Sequence, residues 1–184
     1  MSRTLTNAEL AVLSLIVEKD RHGYEIESVI EERGMRNWTE VAFSSIYHIL
    51  KTLERDLLIE SRSVPAPGKG PARKVFSATS SGRERYEAES LRALATMVRP
   101  YPLFTQGLAA LPGLDPAKAA DALASYREGL KARLEEVEAK DLPGLPFHVA
   151  AMFSYSKSMI RAEEAWVADL QKKLREMANK GEGK

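Results

Sequence analysis

Residues 43–64, FSSIYHILKTLERDLLIESRSV, change their repeat part-way and so restrict the fold more than any other stretch. Ile46, Ile49, Leu50, Leu53 and Leu57 recur at steps of three and four. At about 100° per residue they share one arc of a helix roughly 100° wide. Ser44, Tyr47, His48, Lys51 and Arg55 fall on the opposite arc. Immediately behind, LLIESRSV alternates in part, as a strand with one buried side does. The Pro/Gly run PAPGKGPA follows, then RKVFSAT, a second strand candidate. Two strands joined by such a loop read as a hairpin with a long tip.

The flanks extend the pattern. Thr6 and Glu9 have the T-x-x-E spacing of a capping box, with Leu5 and Leu10 at the staple positions. Leu10, Leu13, Ile16 and Val17 give the first helix an inner face. GYEIESVIEER predicts a second helix with Ile26, Val29 and Ile30 inward. Gly34 follows, where a left-handed residue commonly ends a helix. After the hairpin, TSSGRERYEAESLRALATMVR predicts a further helix from a Thr79 or Ser80 cap. The order helix, helix, helix, hairpin, helix is the outline of a winged helix-turn-helix.

The second half reads as helical throughout. Arg99-Pro100 and Tyr101-Pro102 interrupt the chain, and Asp115-Pro116 is a helix start with a cap followed by proline at the first turn. Leu123, Tyr126, Leu130, Leu134 and Val137 line one side of the helix that follows. From about Pro146 to Met177 a long helix carries Met152, Tyr155, Met159, Ala162, Trp166, Leu170, Leu174 and Met177 at steps of three or four. So long a stripe requires a partner, either a neighbouring helix or a second copy. The expected architecture is mainly α. An N-terminal winged helix-turn-helix domain spans 1–98, an all-helical dimerisation and effector domain spans 99–180, and 181–184 form a tail.

Composition narrows the function classes. The 184 residues are 44% hydrophobic and 29% charged, with no cysteine. Disulfides, thiolate nucleophiles and cysteine-bound zinc are excluded. There is no apolar run of the roughly 18 residues a membrane span needs, and MSRTLTNAEL lacks the apolar core of a secretory signal, so the expected address is cytoplasmic. Net charge is +1, and the first 80 residues carry as many acids as bases. Residues 61–77 nevertheless hold Arg62, Lys69, Arg73 and Lys74 and no acid, a local patch able to attract phosphate.

Three motifs, HGYEI (22–26), SSIYHILKTLE (44–54) and ARKVFSATSSG (72–82), stand in an order and spacing that resemble the PadR family of bacterial transcriptional regulators. The resemblance covers about the first 85 residues. The helical second half resembles the longer subgroup of that family, in which additional helices dimerise. The resemblance implies a homodimeric winged-helix protein that binds double-stranded operator DNA, usually as a repressor, relieved in some members by a small molecule. It places Ser44, Ser45, Tyr47 and Lys51 on the recognition helix, Lys69, Arg73 and Lys74 on the wing, and Tyr24 near the DNA-facing side. His48 departs from the family, which often has proline there. Only one lysine, Lys69, stands at the tip of a fairly short wing loop.

The residue chemistry agrees with a recognition helix. Hydroxyls at a helix start lie beside free backbone N–H groups that grip phosphate. A tyrosine can donate to the sugar-phosphate backbone, and a lysine can reach a phosphate or a guanine edge. The plainer reading of the same face is a solvated helix surface, and the hairpin behind it favours DNA.

The aromatic residues of the second half read first as core and dimer packing. Their functional reading is a pocket for a small aromatic or phenolic effector, with Tyr126, Tyr155 and Trp166 as walls and Arg127 and His148 as polar ends. His22, His48 and His148 have no helical metal-ligand spacing, and no cofactor or metal is expected. SYSK (154–157) has the S-x-x-K spacing of some acyl-transfer enzymes but no companion motif, and GKG (68–70) lacks the rest of a phosphate loop. An enzyme is not expected. The alternative to a DNA binder is a winged-helix module that binds a protein.

Overall fold

The structure, a computed structural model, describes residues 3–39, 45–65, 73–97, 102–141 and 143–181. The chain divides into two compact units, Met1–Arg99 and Pro100–Lys184. The expected boundary at 98–99 and most of the tail lie outside the described residues.

In the first unit, helix α1 (Asn7–Glu18) starts with the capping box in both directions. The Glu9 N–H donates to Thr6 Oγ1 at 3.2 Å, and the Thr6 N–H donates to the Glu9 carboxylate at 2.9 Å. Strand β1 (Arg21–His22) leads directly into α2 (Gly23–Glu32), which ends at Gly34 with φ of 59°. A short 3₁₀ turn, Met35–Asn37, follows. Then come α3 (Ile46–Arg55), β2 (Ile59–Val64), β3 (Arg73–Ala78) and α4 (Ser80–Ala95). Val12, Leu13, Leu15 and Ile16 of α1 meet Ile26 and Ile30 of α2, Ile46, Ile49, Leu50 and Leu53 of α3, and Ile59 and Phe76 of the sheet in one buried cluster. Leu5 belongs to that core and Leu10 packs against it, as the staple spacing requires.

The wing differs from a plain hairpin. Its sheet has three strands in the order β1-β3-β2, antiparallel throughout. Arg62 pairs with Val75 on one side of β3, and His22 pairs with the same residue on the other. A two-residue strand has no readable period, and its pairing depends on a partner some fifty positions away. Nothing local announces it.

Leu57 also departs from the sequence reading. Periodicity places it on the inner arc of α3, but the helix stops at Arg55 and Leu57 is 73% exposed at φ of 58°. The Leu57 N–H donates to the Glu54 carbonyl (3.0 Å) and the Leu58 N–H to the Leu53 carbonyl (2.9 Å). This pair of bonds is a Schellman turn with leucine where glycine is usual. The freed Leu57 carbonyl accepts from the Thr79 and Ser81 hydroxyls, at 2.8 and 2.9 Å. Thr79 also caps α4 by accepting from the Gly82 N–H. A Cβ on Gly82 would lie 1.9 Å from the Leu58 carbonyl oxygen, so the approach of α4 to this turn demands glycine.

The second unit contains α5 (Leu103–Ala109), α6 (Pro116–Lys140) and α7 (Phe147–Gly181). Asp115 caps α6 with Pro116 at its first turn. Helices α6 and α7 form an antiparallel hairpin around Ala119, Ala120, Leu123, Val167 and Leu174. Ion pairs run along it from Arg161–Glu138 to Arg175–Asp121. Of the stripe expected on α7 only Leu174 is buried. The helix packs through Val167, Gln171 and Leu174, while Met152, Tyr155, Met159, Trp166 and Met177 remain exposed. At about 100° per residue the two faces are centred roughly 95° apart. Among the described residues no helix is long and apolar enough to cross a membrane, and no group of acidic or histidine side chains could hold a metal ion.

Candidate nucleic-acid interface

Helix α3 is amphipathic because Ile46, Ile49, Leu50 and Leu53 are drawn into the core. Its other side is left to solvent, with Tyr47 (58% exposed), His48, Lys51 and Arg55 in the open. Ser45 is the capping residue at its start and is partly buried. Ser44 and Lys69 lie outside the described residues. Arg55 is engaged by Asp56 at 3.0 Å, so its charge is already neutralised locally.

Tyr24 on the first turn of α2 and Arg73 at the start of β3 come together across the sheet. Arg73 Nη1 donates to the Tyr24 hydroxyl at 3.1 Å, and its guanidinium lies 5.3 Å from the Tyr24 ring centre. The His22 ring stacks on Tyr24, centroids 5.5 Å apart at 9°. His22 is held in turn by its Nδ1, 3.1 Å from the Lys74 carbonyl. A carbonyl only accepts, so the proton is on Nδ1. The His22 N–H donates to Glu25 at 2.6 Å.

Between α3 and the sheet lies an open cavity of about 420 Å³. Tyr24, Tyr47, Lys51, Arg73 and Lys74 line it above a floor of Leu50 and Phe76. Five sequence-predicted residues from three elements therefore share one concavity. His48 is exposed on α3 but does not line it. Three cations face one carboxylate, Glu54, which accepts from the Ser61 hydroxyl. That hydrogen bond ties α3 to β2. His22 and Gly23 stand within the HGYEI motif, but neither was assigned to this face from the sequence.

The family model of the PadR-like transcriptional regulators matches residues 12–88, which contain all of these elements. An uncharacterised protein of Lysinibacillus sphaericus is 33% identical over 97 residues, covering 53% of this chain and 86% of the relative. The chain belongs to the PadR-like family of transcriptional regulators. Its fold matches Bacillus subtilis PadR in complex with operator DNA, with a TM-score of 0.69 at 19% identity over 94% of this chain and 99% of that one. The same B. subtilis protein in complex with p-coumaric acid gives 0.71 at 18% identity over 92% and 99%. The PadR-like regulator BC1756 of Bacillus cereus gives 0.62 at 21% identity over 96% and 98%. PadR-like proteins are regulators of transcription and not enzymes.

The five residues expected to line an effector pocket are distributed along the second unit. Phe104 of α5 stacks on Tyr126 at 4.5 Å and meets Trp166 edge-on at 6.3 Å. The Tyr126 hydroxyl donates to Glu163 at 2.6 Å, and that bond to a carboxylate, with burial, pushes its pKa up to about 12. Arg127 is spent on Glu164 and Gln171. His148 stands on the same helix as Trp166 but about 27 Å before it, at ~1.5 Å per residue, so it does not close this cluster. Tyr155 is 69% exposed and likewise lies turns away from Trp166. Equal steps along a helix put residues on one face but not at one height.

Proposed function

We propose that this PadR-like protein is a dimeric repressor that binds a palindromic operator through α3 and the wing and is released by a small aromatic or phenolic effector. The observation that carries the DNA reading is the convergence of Tyr24, Tyr47, Lys51, Arg73 and Lys74 on one open cavity beside an exposed helix face. The complex of B. subtilis PadR with operator DNA supports it. A recognition helix presents its first turns to base edges while flanking cations meet phosphates.

Dimerisation is assigned to the exposed face of α7, where Met152, Tyr155, Met159 and Trp166 await apolar cover. Two copies would set recognition helices about one duplex turn apart, ~34 Å. An effector is assigned to the Phe104–Tyr126–Trp166 cluster, and the p-coumaric acid complex of B. subtilis PadR supports that chemistry. Coupling of about 1–3 kcal/mol between the effector and DNA sites suffices for a several-fold to hundredfold change in affinity.

The test is fluorescence anisotropy with DNA from upstream of the protein's own gene and with duplexes selected by the protein from a random pool. Tyr47→Phe combined with Lys51→Ala should weaken binding about tenfold or more at an unchanged thermal melt. Undiminished binding by the double variant would remove α3 from the interface. No binding of any duplex would leave a protein partner as the function of this face.

A further inference from the structure

The turn His22–Gly23–Tyr24, where β1 passes into α2, touches both of the surfaces that face DNA in the proposed function. On the wing side, Tyr24 holds Arg73 by a hydrogen bond to its hydroxyl and by the ring beneath the guanidinium. On the helix side, Gly23 lies under Tyr47. A Cβ there would be 3.1 Å from Tyr47 Cε1 and 3.5 Å from its Cζ and hydroxyl. The contacts close a loop. The β3 backbone at Lys74 fixes His22, His22 stacks on Tyr24, and Tyr24 returns to β3 at Arg73.

We propose that this turn is the positioning element of the DNA-binding face: Gly23 seats Tyr47, and Tyr24 acts on DNA through Arg73 rather than by a contact of its own. The inference rests on the DNA reading and says how that surface is set. A lone arginine at a strand end loses considerable side-chain freedom when it meets a phosphate. Holding it beforehand removes part of that cost, which is affinity gained without a new contact. The same contacts add little to the fold. Tyr24 is 47% exposed and Arg73 is exposed, and open ion and hydrogen-bond pairs contribute little to stability. An element that costs glycine and tyrosine at a helix start and stabilises little is explained by what it orients.

Two double-mutant cycles on the full-length protein test this, read by anisotropy with a duplex the parent selects from a random pool. Tyr24→Phe should weaken binding about threefold to tenfold in the parent and not at all in an Arg73→Ala background. Gly23→Ala should weaken binding several-fold in the parent and be silent in a Tyr47→Ala background. The salt slope should fall by about one phosphate contact in Arg73→Ala and not fall further when Tyr24→Phe is added. Equal losses in both backgrounds would make Tyr24 a direct contact and overturn the inference, as would no loss in the parent. A drop in thermal melt matching the affinity loss would make the turn structural only. If the parent binds and the cycles are flat, this inference alone falls. If the parent binds no duplex, the DNA reading falls and takes it down too.

Discussion

The two units solve the burial problem differently. The first closes its own core: Leu13, Ile16, Ile26, Ile30, Leu50 and Leu53 are fully buried by neighbours from α1, α2 and α3. The second has a longer helix and a thinner interior, in which alanines take much of the contact. Its largest apolar side chains stay outside, with Tyr155 at 69%, Met159 at 54% and Trp166 at 50% exposure. One unit is complete within a single chain. The other leaves an apolar face uncovered within one chain, the face to which the proposed dimer contact is assigned. Under the proposed function the difference has a reason: a unit that holds DNA-reading groups rigid needs a full core, and one that joins two chains needs apolar surface in reserve.

That contrast breaks if the first unit tolerates crowding. Gly82→Ala should cost about 3 kcal/mol or more in denaturant unfolding, because the new Cβ meets the Leu58 carbonyl oxygen and not a movable side chain. A near-wild-type midpoint would show that α4 and the turn before β2 can separate freely.

It breaks from the other side if the exposed face of α7 is idle. Tyr155→Ser with Met159→Ser should weaken self-association at least about tenfold, as the loss of an apolar anchor does, and leave the first unit's unfolding unchanged. Light scattering at a dimer's mass for both parent and variant would place the proposed dimer contact elsewhere.

Two smaller effects sharpen the description of the first unit. Glu9 is buried, and burial opposes its charge. Hydrogen bonds from Arg3 and the Thr6 N–H outweigh that cost and hold its pKa below the ordinary 4.5. The folded pKa is the lower one, so this stabilisation is present above pH 4.5 and is lost as pH falls through the folded value. Glu9→Gln should lower stability at neutral pH by about 1–2 kcal/mol and flatten the acid limb of the melt-against-pH curve. An unchanged acid limb would assign that limb to other carboxylates. Leu57→Gly should raise stability by about 1 kcal/mol, since the left-handed backbone is strained for leucine and its side chain buries little. A loss on that substitution would show that the chain entropy added by glycine outweighs the strain relieved.

Much of the fold was legible because its signals are local. The capping box at Thr6 and Glu9, the αL residue at Gly34, the inner face of α3 and the two main wing strands all depend on residues a few positions apart. What escaped were the features set by distant partners or by where an element stops. Strand β1 exists because β3 lies beside it. Leu57 fits the helical period but lies just beyond the point where the helix stops. Most of the α7 stripe stays outside because α6 packs on the neighbouring face, that of Val167 and Leu174. In the interface, Tyr24, Tyr47, Lys51, Arg73 and Lys74 were named from pattern and resemblance, but the bond between Arg73 and Tyr24 was not.

The amino-acid order by itself determined where most of the helices and the two longer strands run and which side of α3 faces water, since periodicity and caps act over one or two turns. The tertiary structure decided which of those outward groups meet: His22 on Tyr24, Tyr24 on Arg73, Gly23 under Tyr47, and Gly82 against the Leu58 carbonyl. All but the first of those contacts join residues far apart in the chain. Their geometry follows from how the buried faces pack, which local spacing does not encode.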